Sequence, residues 1–407
     1  MKNTLLYISR LLVGSLLIIS GVIKANDALG FSYKLIEYFT DGILGMEFLQ
    51  PYTLVMAASI CILEILLGVA LIFGLKAKLT TTLNVLMMLF FTFLTFYSAY
   101  FDKVKDCGCF GDALKLTPWE SFTKDVVLLF FSLILFLLRK QIFPNKNRED
   151  LKYIVPSLLL IALFSVGITG WWFPVIFSVI VYVLMLVIKR FDKSQWRLIS
   201  LSLITSLIFT VYCYNHLPIK DFRAFKVNAS ITEGMVVPPD ALPAIIEYTW
   251  IIEKDGVKKT YVGDYPTIEG GKLVGNSSKT IREAVEPKIH DFMIEGETDD
   301  TELFLSKENV LVVVAYDFAK SSDEGFKAIK KTTDEAIKKG YTVIGMTAET
   351  PENRIAKIAE YDLNFQFYFC DGITLKTIVR SNPGVFEMDK AIIKQKFHWN
   401  DIDKLEL

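Results

Sequence analysis

TLLYISRLLVGSLLIISGVIK, residues 4–24, is apolar except for Arg10, Lys24 and a few small polar residues. A bilayer-spanning helix needs roughly 20 mostly apolar residues, and this run meets that length. Comparable runs follow at about 52–74, 80–100, 120–138, 152–168, 171–189 and 197–214. The fifth and sixth are short and joined by GITG (167–170), which reads as a helical hairpin; Pro156 and Pro174 lie near their starts, where proline is tolerated. Lys2 precedes the first run, but Arg10 interrupts it and no small-residue cleavage site follows at a suitable distance. The run therefore reads as an uncleaved membrane helix rather than a signal peptide.

The whole chain fits that beginning. Of 407 residues, 52% are hydrophobic and only 22% are charged, which is too apolar for an ordinary soluble protein. The charges are concentrated after about residue 215, where the sequence takes on the character of a soluble domain. A formal net charge of -1 provides no global field for binding nucleic acid. The five cysteines and three histidines form no C-x-x-C or Cys/His cluster, so no metal site is expected.

Lysine and arginine in the loops orient the spans. Lys2, Lys76 and Lys78, then Arg139, Lys140, Lys146, Arg148 and Lys152, then Lys189, Arg190, Lys193 and Arg197 all fall on one side if there are seven spans and a cytoplasmic N-terminus. Segments 25–51 and 101–119 and everything after span seven then face the other side. The loop 101–119 also carries Lys103, Lys105 and Lys115, accompanied by Asp102, Asp106 and Asp112. In a bacterium the far side is the periplasm or exterior, where disulfides persist.

On that far side lies KDCGCFGD, 105–112, with Cys107 and Cys109 separated by one glycine. LTPWESF (116–122) follows, with Thr117 placed as an N-cap, Pro118 as the first helical residue and Glu120 as the reciprocal partner of a capping box. A thiol near a helix N-terminus can have a lowered pKa and exchange faster. Gly108 and Gly111 allow unusual backbone angles. A disulfide between residues this close closes a small, strained ring that is easier to reduce. The residues alone leave open a redox pair and a structural glycine turn. A metal clip is disfavoured, because two thiolates half-fill a tetrahedral ion.

CGCFGD followed by LTPW and a helix with Lys124 and Asp125 resembles the DoxX/MauE family of small membrane proteins. RLLVGSLLIISGVIK (10–24) and LEILLGVALIFG (63–74) resemble that family's first two helices. The resemblance covers about residues 1–140 and implies a bundle of about four helices engaged in redox-associated work. It links such members to disulfide formation or maturation of exported proteins, with quinone as the cofactor class; no quinone-site pattern stands in the chain.

Arg10 and Glu64 lie deep in spans one and two. Charges at such depth are paired or functional, so an Arg10–Glu64 pair is expected, either fixing helix packing or with Glu64 handling protons. Cys61 and Cys213 read as small buried residues.

After span seven, EYTWIIEKDGVKKTYVG (247–263) alternates around Asp255-Gly256, a hairpin signal. From PKIHDFMIEG (287–296) onward strands and helices alternate, which implies a central sheet with a right-handed crossover. This order resembles a thioredoxin fold of the TlpA or peroxiredoxin kind over about 285–407, with Asn382-Pro383 at that fold's cis-proline. The catalytic position departs from the pattern: YDFAKSSDE (316–324) has no cysteine. Asn382, Pro383 and the vacant loop are expected to form a groove for an extended peptide. Cys370 reads as a structural thiol.

The expected fold class is thus a multi-domain membrane protein. An all-α transmembrane bundle of about seven spans precedes an α/β thioredoxin-like exoplasmic domain. The expected boundaries are 1–140 for the four-helix bundle, 141–214 for three further spans, 215–285 for a β-rich connecting region and 286–407 for the thioredoxin-like domain. The expected function is a membrane thiol–disulfide oxidoreductase component of a bacterial inner membrane, acting through Cys107 and Cys109. The C-terminal domain faces the periplasm and docks an exported client or a thioredoxin-like partner. The alternative is a non-catalytic membrane scaffold or assembly factor with structural cysteines. Lipid is the surrounding partner, and nucleic acid is not one.

Overall fold

In apolar runs of this length every backbone N–H and C=O must find its partner within the segment, which enforces helix. The computed structural model describes residues 2–101, 103–104, 108, 110–239, 241–282 and 284–407. Its first half is helical: α1 (Lys2–Asn26), a short α2 (Ala28–Phe39), α3 (Thr53–Phe73), α4 (Ala77–Phe101), α5 (Pro118–Leu137), α6 (Asn147–Ser165), α7 (Phe173–Phe191) and α8 (Gln195–Asn215). Among the described residues five helices, α1, α3, α4, α7 and α8, are long and apolar enough to cross a membrane. Helix α5 carries Glu120, Lys124 and Asp125, and α6 carries Arg148, Glu149, Asp150 and Lys152, all in their first halves. The outward faces are apolar: Phe93, Phe130, Leu159, Leu163, Ile180 and Ile208 are all exposed. Such a surface suits lipid rather than water.

Helices α1 and α3 form the centre of the bundle, antiparallel and close. A Cβ added at Gly68 would lie 2.6 Å from the Gly14 carbonyl oxygen and 2.7 Å from Ile18 Cγ1; one added at Gly21 would lie 2.9 Å from the Cys61 carbonyl oxygen. Small residues let the two backbones approach, and they fix the register, with Gly14 level with Gly68 and Gly21 level with Cys61 and Ile65. Helix α2 was not read from the sequence. Asp27 caps it by accepting a hydrogen bond from Gly30 N at 2.8 Å. Phe31, Leu35, Tyr38 and Phe39 form its buried face, and Tyr38 reaches Ser98 of α4 at 2.9 Å.

One end of the bundle is tied by polar contacts that belong to helix termini. Arg10 donates to the carbonyls of Leu71 at 2.9 Å and Ile72 at 3.1 Å and to Asn145 Oδ1 at 2.8 Å. Lys189 meets Asp150 at 2.6 Å and the Asn145 carbonyl at 2.8 Å. At the other end gather α2, the loop before α5, the α6–α7 link and the chain leaving α8. There Lys220 donates to the carbonyls of Thr169 and Gly170 at 3.1 and 2.8 Å.

The second half is α/β with two sheets. After α9 (Ile231–Met235) come β1 (Ile245–Lys254), β2 (Val257–Val262) and β3 (Lys272–Arg282), an antiparallel sheet in the order β2-β1-β3. Asp255 and Gly256 turn its hairpin with φ of 52° and 75°. Among the described residues of these strands only Ile252 is buried, so both faces of the sheet are bare.

The rest comprises α10 (Thr301–Leu305), β4 (Val310–Val314), α11 (Asp323–Lys338), β5 (Thr342–Thr347), α12 (Pro351–Tyr361), β6 (Phe367–Phe369), α13 (Gly372–Ile378), β7 (Gly384–Asp389) and β8 (Ile392–His398). These strands form one sheet in the order β6-β5-β4-β7-β8. Strands β4, β5 and β6 are parallel, and β7 and β8 run antiparallel. Wholly buried β4, with the sequence VLVVV, lies at the centre, as expected of a strand covered on both faces. One face packs on Phe326, Ile329 and Ala336 of α11, whose Lys327, Lys331 and Lys338 are exposed. The other packs on Leu375 and Ile378 of α13 together with Phe225 and Ile231. Asn228 N and Ile231 N bond the carbonyls of Ile393 and Ala391, each at 2.8 Å. The chain just after α8 therefore belongs to this core and is more than a connector.

Two outcomes follow from this packing. Gly68→Leu forces α1 and α3 apart and costs about 1–3 kcal/mol, read as a lower melting temperature of the detergent-solubilised chain. His398 ends β8, with Nδ1 accepting from Asn400 N at 3.1 Å. Burial pulls its pKa down to about 4, with Asp401 acting upward and His216 downward. The unfolded chain takes up this proton near the ordinary value of about 6.5, whereas the folded chain refuses it until about 4. Stability contributed by neutral His398 is thus lost as pH falls from about 6.5 to about 4. A melting-temperature series over that window should flatten in His398→Gln.

Candidate functional site

A cavity of about 810 Å³ lies between the bundle end and the α/β region. One wall is α2 and the loop before α5, through Tyr33, Lys34, Gly108, Gly111 and Asp112. The opposite wall includes Ile373, Lys376 and Arg380, and the segment 218–225 closes a third side.

Arg380 fastens the two walls. Its Nε donates to both oxygens of Asp27 at 3.0 and 2.9 Å, and an Nη lies 3.6 Å from Asp112 Oδ2. It also donates to the Lys376 carbonyl and lies 5.3 Å from the Tyr33 ring centroid. Burial alone would lower its pKa, but Asp27 and Asp112 outweigh that and raise it. Burial pushes Asp112 up against the pull of Arg380. Tyr33 Oη donates to Tyr316 Oη at 3.2 Å, which brings the loop 316–324 onto α2. Beneath it, Asp221 accepts from Arg223 at 2.7 and 2.9 Å and from Lys396 at 2.8 Å. Burial acts upward on Asp221, but those two cations hold it well below the usual carboxylate range. The junction is completed by His216 to Asp401 at 2.7 Å and Asn400 Nδ2 to the Asn215 carbonyl at 2.8 Å.

Cys107 and Cys109 lie outside the described residues. Their neighbours are described. Gly108 and Gly111 have φ of +65° and +51°, which favours glycine; a Cβ on Gly108 would stand 3.3 Å from Lys34 Cγ. Phe110 is buried, tilted against Phe164 with centroids 5.0 Å apart, and Lys124 Nζ lies 5.2 Å from its centroid. Thr117 accepts from Glu120 N at 3.3 Å, and Glu120 accepts from Thr117 N at 2.9 Å. This is the reciprocal box, with Pro118 in the first turn.

Arg10 and Glu64 do not pair. Arg10 lies level with the C-terminal carbonyls of α3, which it satisfies, and its guanidinium carbon stands 3.9 Å from the Tyr153 centroid. Glu64 lies about two turns further along, and its partner is Lys24. Depth along each helix, counted separately, suggested the wrong pairing; the glycine register sets the right one. Lys24 closes an apolar run, and Asp27 and Arg380 carry no local signal in the sequence.

The groove expected at Asn382 and Pro383 is not open. Their peptide bond is cis, but Pro383 is buried. The Asn382 amide donates to the Asp317 carbonyl at 2.7 Å and accepts from Ser321 Oγ at 3.0 Å. Without a cysteine in this loop, serine and asparagine fill the space with hydrogen bonds. Cys370 is buried, and burial pushes its thiol up to about 12. Cys61 and Cys213 are buried free thiols. Among the described residues no group of His, Cys, Asp and Glu could hold a metal ion.

Arg380→Met leaves Asp27 and Asp112 without their shared cation and is expected to cost about 3–5 kcal/mol locally. Hydrogen exchange should rise in α2 and around Gly111–Leu114 while β4 keeps its protection.

A family model matches the first third of the chain. Residues 2–138, α1 to α5, match the family model described as methylamine utilisation protein MauE. Protein TlpB of Flavobacterium psychrophilum is 25% identical over 171 residues, which is 39% of this chain and 42% of that protein. The chain thus spans about two fifths of the length of the curated relative it matches. No solved structure matches. With its apolar helices and its likeness to a membrane family, the chain is a multi-pass membrane protein whose first third is similar to MauE.

Proposed function

We propose that the protein is a membrane thiol–disulfide redox component that supports oxidation or maturation of exported proteins through Cys107 and Cys109. In this reading α1 and α3 to α8 are seven spans with a cytoplasmic N-terminus in a bacterial inner membrane. Residues 1–140 form the redox bundle and 141–214 three further spans. Residues 215–285 include the bare sheet, and 286–407 form a periplasmic thioredoxin-like domain. The sheet order β6-β5-β4-β7-β8 supports the thioredoxin-like assignment. Similarity to MauE supports a redox role for the bundle.

One observation carries the reading: Gly108, Gly111 and Asp112, which surround the cysteines in sequence, line a chamber whose far wall is the α/β domain. A thiol–disulfide exchange needs an accessible sulfur and a partner thiol brought in line with it. A chamber of this volume between a cysteine loop and a domain with no reactive cysteine of its own gives the α/β region a docking role. It would present a client, or a redox partner, to the loop.

Membrane-impermeant maleimide mass-tagging of intact cells tests this. Labelling of Cys107 and Cys109 only after mild reductant is expected, with Cys107→Ser and Cys109→Ser each abolishing function at unchanged abundance. Substitutions that lower abundance, or change nothing, would instead identify a non-catalytic scaffold with structural cysteines.

A further inference from the structure

A second, smaller cavity of about 110 Å³ lies inside the helix bundle, roofed by Phe110 and lined by Ser20, Lys24, Glu64, Lys124 and Asp125. That volume has room for several water molecules, and the polar lining gives them partners. Lys24 lines this pocket and the chamber above it, so its side chain forms part of the partition between them. Lys24 and Glu64 are almost wholly buried, at 3% and 1% exposed, and they bond one another through Glu64 Oε1. Glu64 Oε2 is buried and meets no hydrogen-bond partner among the described residues. Lys124 and Asp125 form a second pair at 2.6 Å on the same pocket, and Thr95 donates to the other Asp125 oxygen at 3.2 Å.

A buried ion pair is outdone by apolar residues of similar size unless its remaining polar atoms are satisfied. Here one carboxylate oxygen is left over on a residue that lines the pocket, and Ser20, also in the lining, is a further hydrogen-bond partner of Glu64. The contrast with Arg10 is direct: that cation spends its donors on helix-end carbonyls and Asn145.

We propose that Lys24 and Glu64 form a proton-exchange site that joins the interdomain chamber to the pocket inside the bundle. A proton passes from Lys24 Nζ to Glu64 Oε1, Lys24 regains one from chamber water, and the carboxyl group turns and releases the proton it carries to pocket water. One proton enters from the chamber, one leaves into the pocket, and no electron moves. The groups facing the site are Asp27 on the chamber side, Cys61 a turn away on α3, Lys124 and Asp125 from α5, and the rings of Phe31 and Phe91, 5.1 and 4.8 Å from Lys24 Nζ. The proposal does not depend on how Cys107 and Cys109 react.

Infrared difference spectroscopy of the full chain in lipid nanodiscs tests it. A carboxylic C=O band that appears on acidification, shifts promptly in D₂O, persists in Asp125→Asn and disappears in Glu64→Gln is the expected result. Lys24→Met should slow the deuterium shift. If Glu64→Gln does not fold, Glu64→Asp makes the assignment by displacing the band. Absence of a titrating Glu64 band while the chain stays folded overturns the proposal, as does deuterium exchange as fast in Lys24→Met as in the native chain. Maleimide tagging of the cysteines reads the redox function separately, so failure of one does not imply failure of the other.

Discussion

A single buried guanidinium sets the geometry between the two halves of the molecule. Arg380 would be costly to remove from water alone; held by Asp27 and Asp112, it becomes a fixed point. Asp27 does two things with one carboxylate, capping α2 at Gly30 and receiving Arg380. The start of α2, the end of the cysteine loop and the last turn before Ser381 are therefore positioned together. The chamber exists because these three segments are held at a distance by a charged hub rather than collapsed onto an apolar contact.

Helix α1 has a similar organising role within the bundle. Its glycines let α3 approach, and its two cations fall at opposite ends of that contact. Arg10 completes the hydrogen bonding of a helix terminus, which is work any buried helix end requires. Lys24 meets a carboxylate in mid-helix and adjoins two cavities. The same residue class on the same helix thus serves closure at one end and polarity at the other, and only the register with α3 tells them apart.

Much of this was legible in the sequence, and the gaps have physical causes. Apolar runs long enough to cross a membrane are a strong signal, so the helices stood out. The capping box at Thr117 and Glu120 and the Asp255-Gly256 hairpin are local and read directly from residue spacing. What failed was pairing across elements. Arg10 with Glu64 was inferred from depth, but side-chain partners depend on the stagger of two helices, here fixed by where Gly14, Gly21 and Gly68 let backbones touch. Helix α2 was hidden because its amphipathic face is short and its cap, Asp27, follows directly on a long helix. Arg380 lies more than 350 residues from Asp27 along the chain, and no local pattern announces such a contact. The groove at Asn382 was expected by analogy with loops that carry cysteines. Here Ser321 and Asn382 tie the loop to itself by hydrogen bonds.

The three-stranded sheet carries a different kind of information. Bare on both faces, it has two edge strands, β2 and β3, each with unpaired backbone groups that could template another strand. Lys258 and Lys259 lie on one edge and Lys272 and Lys279 on the other. Two copies of this chain brought edge to edge would set like charges against each other. In a crowded membrane, where neighbouring copies share one plane and meet often, that repulsion lets the sheet stay uncovered without seeding aggregation.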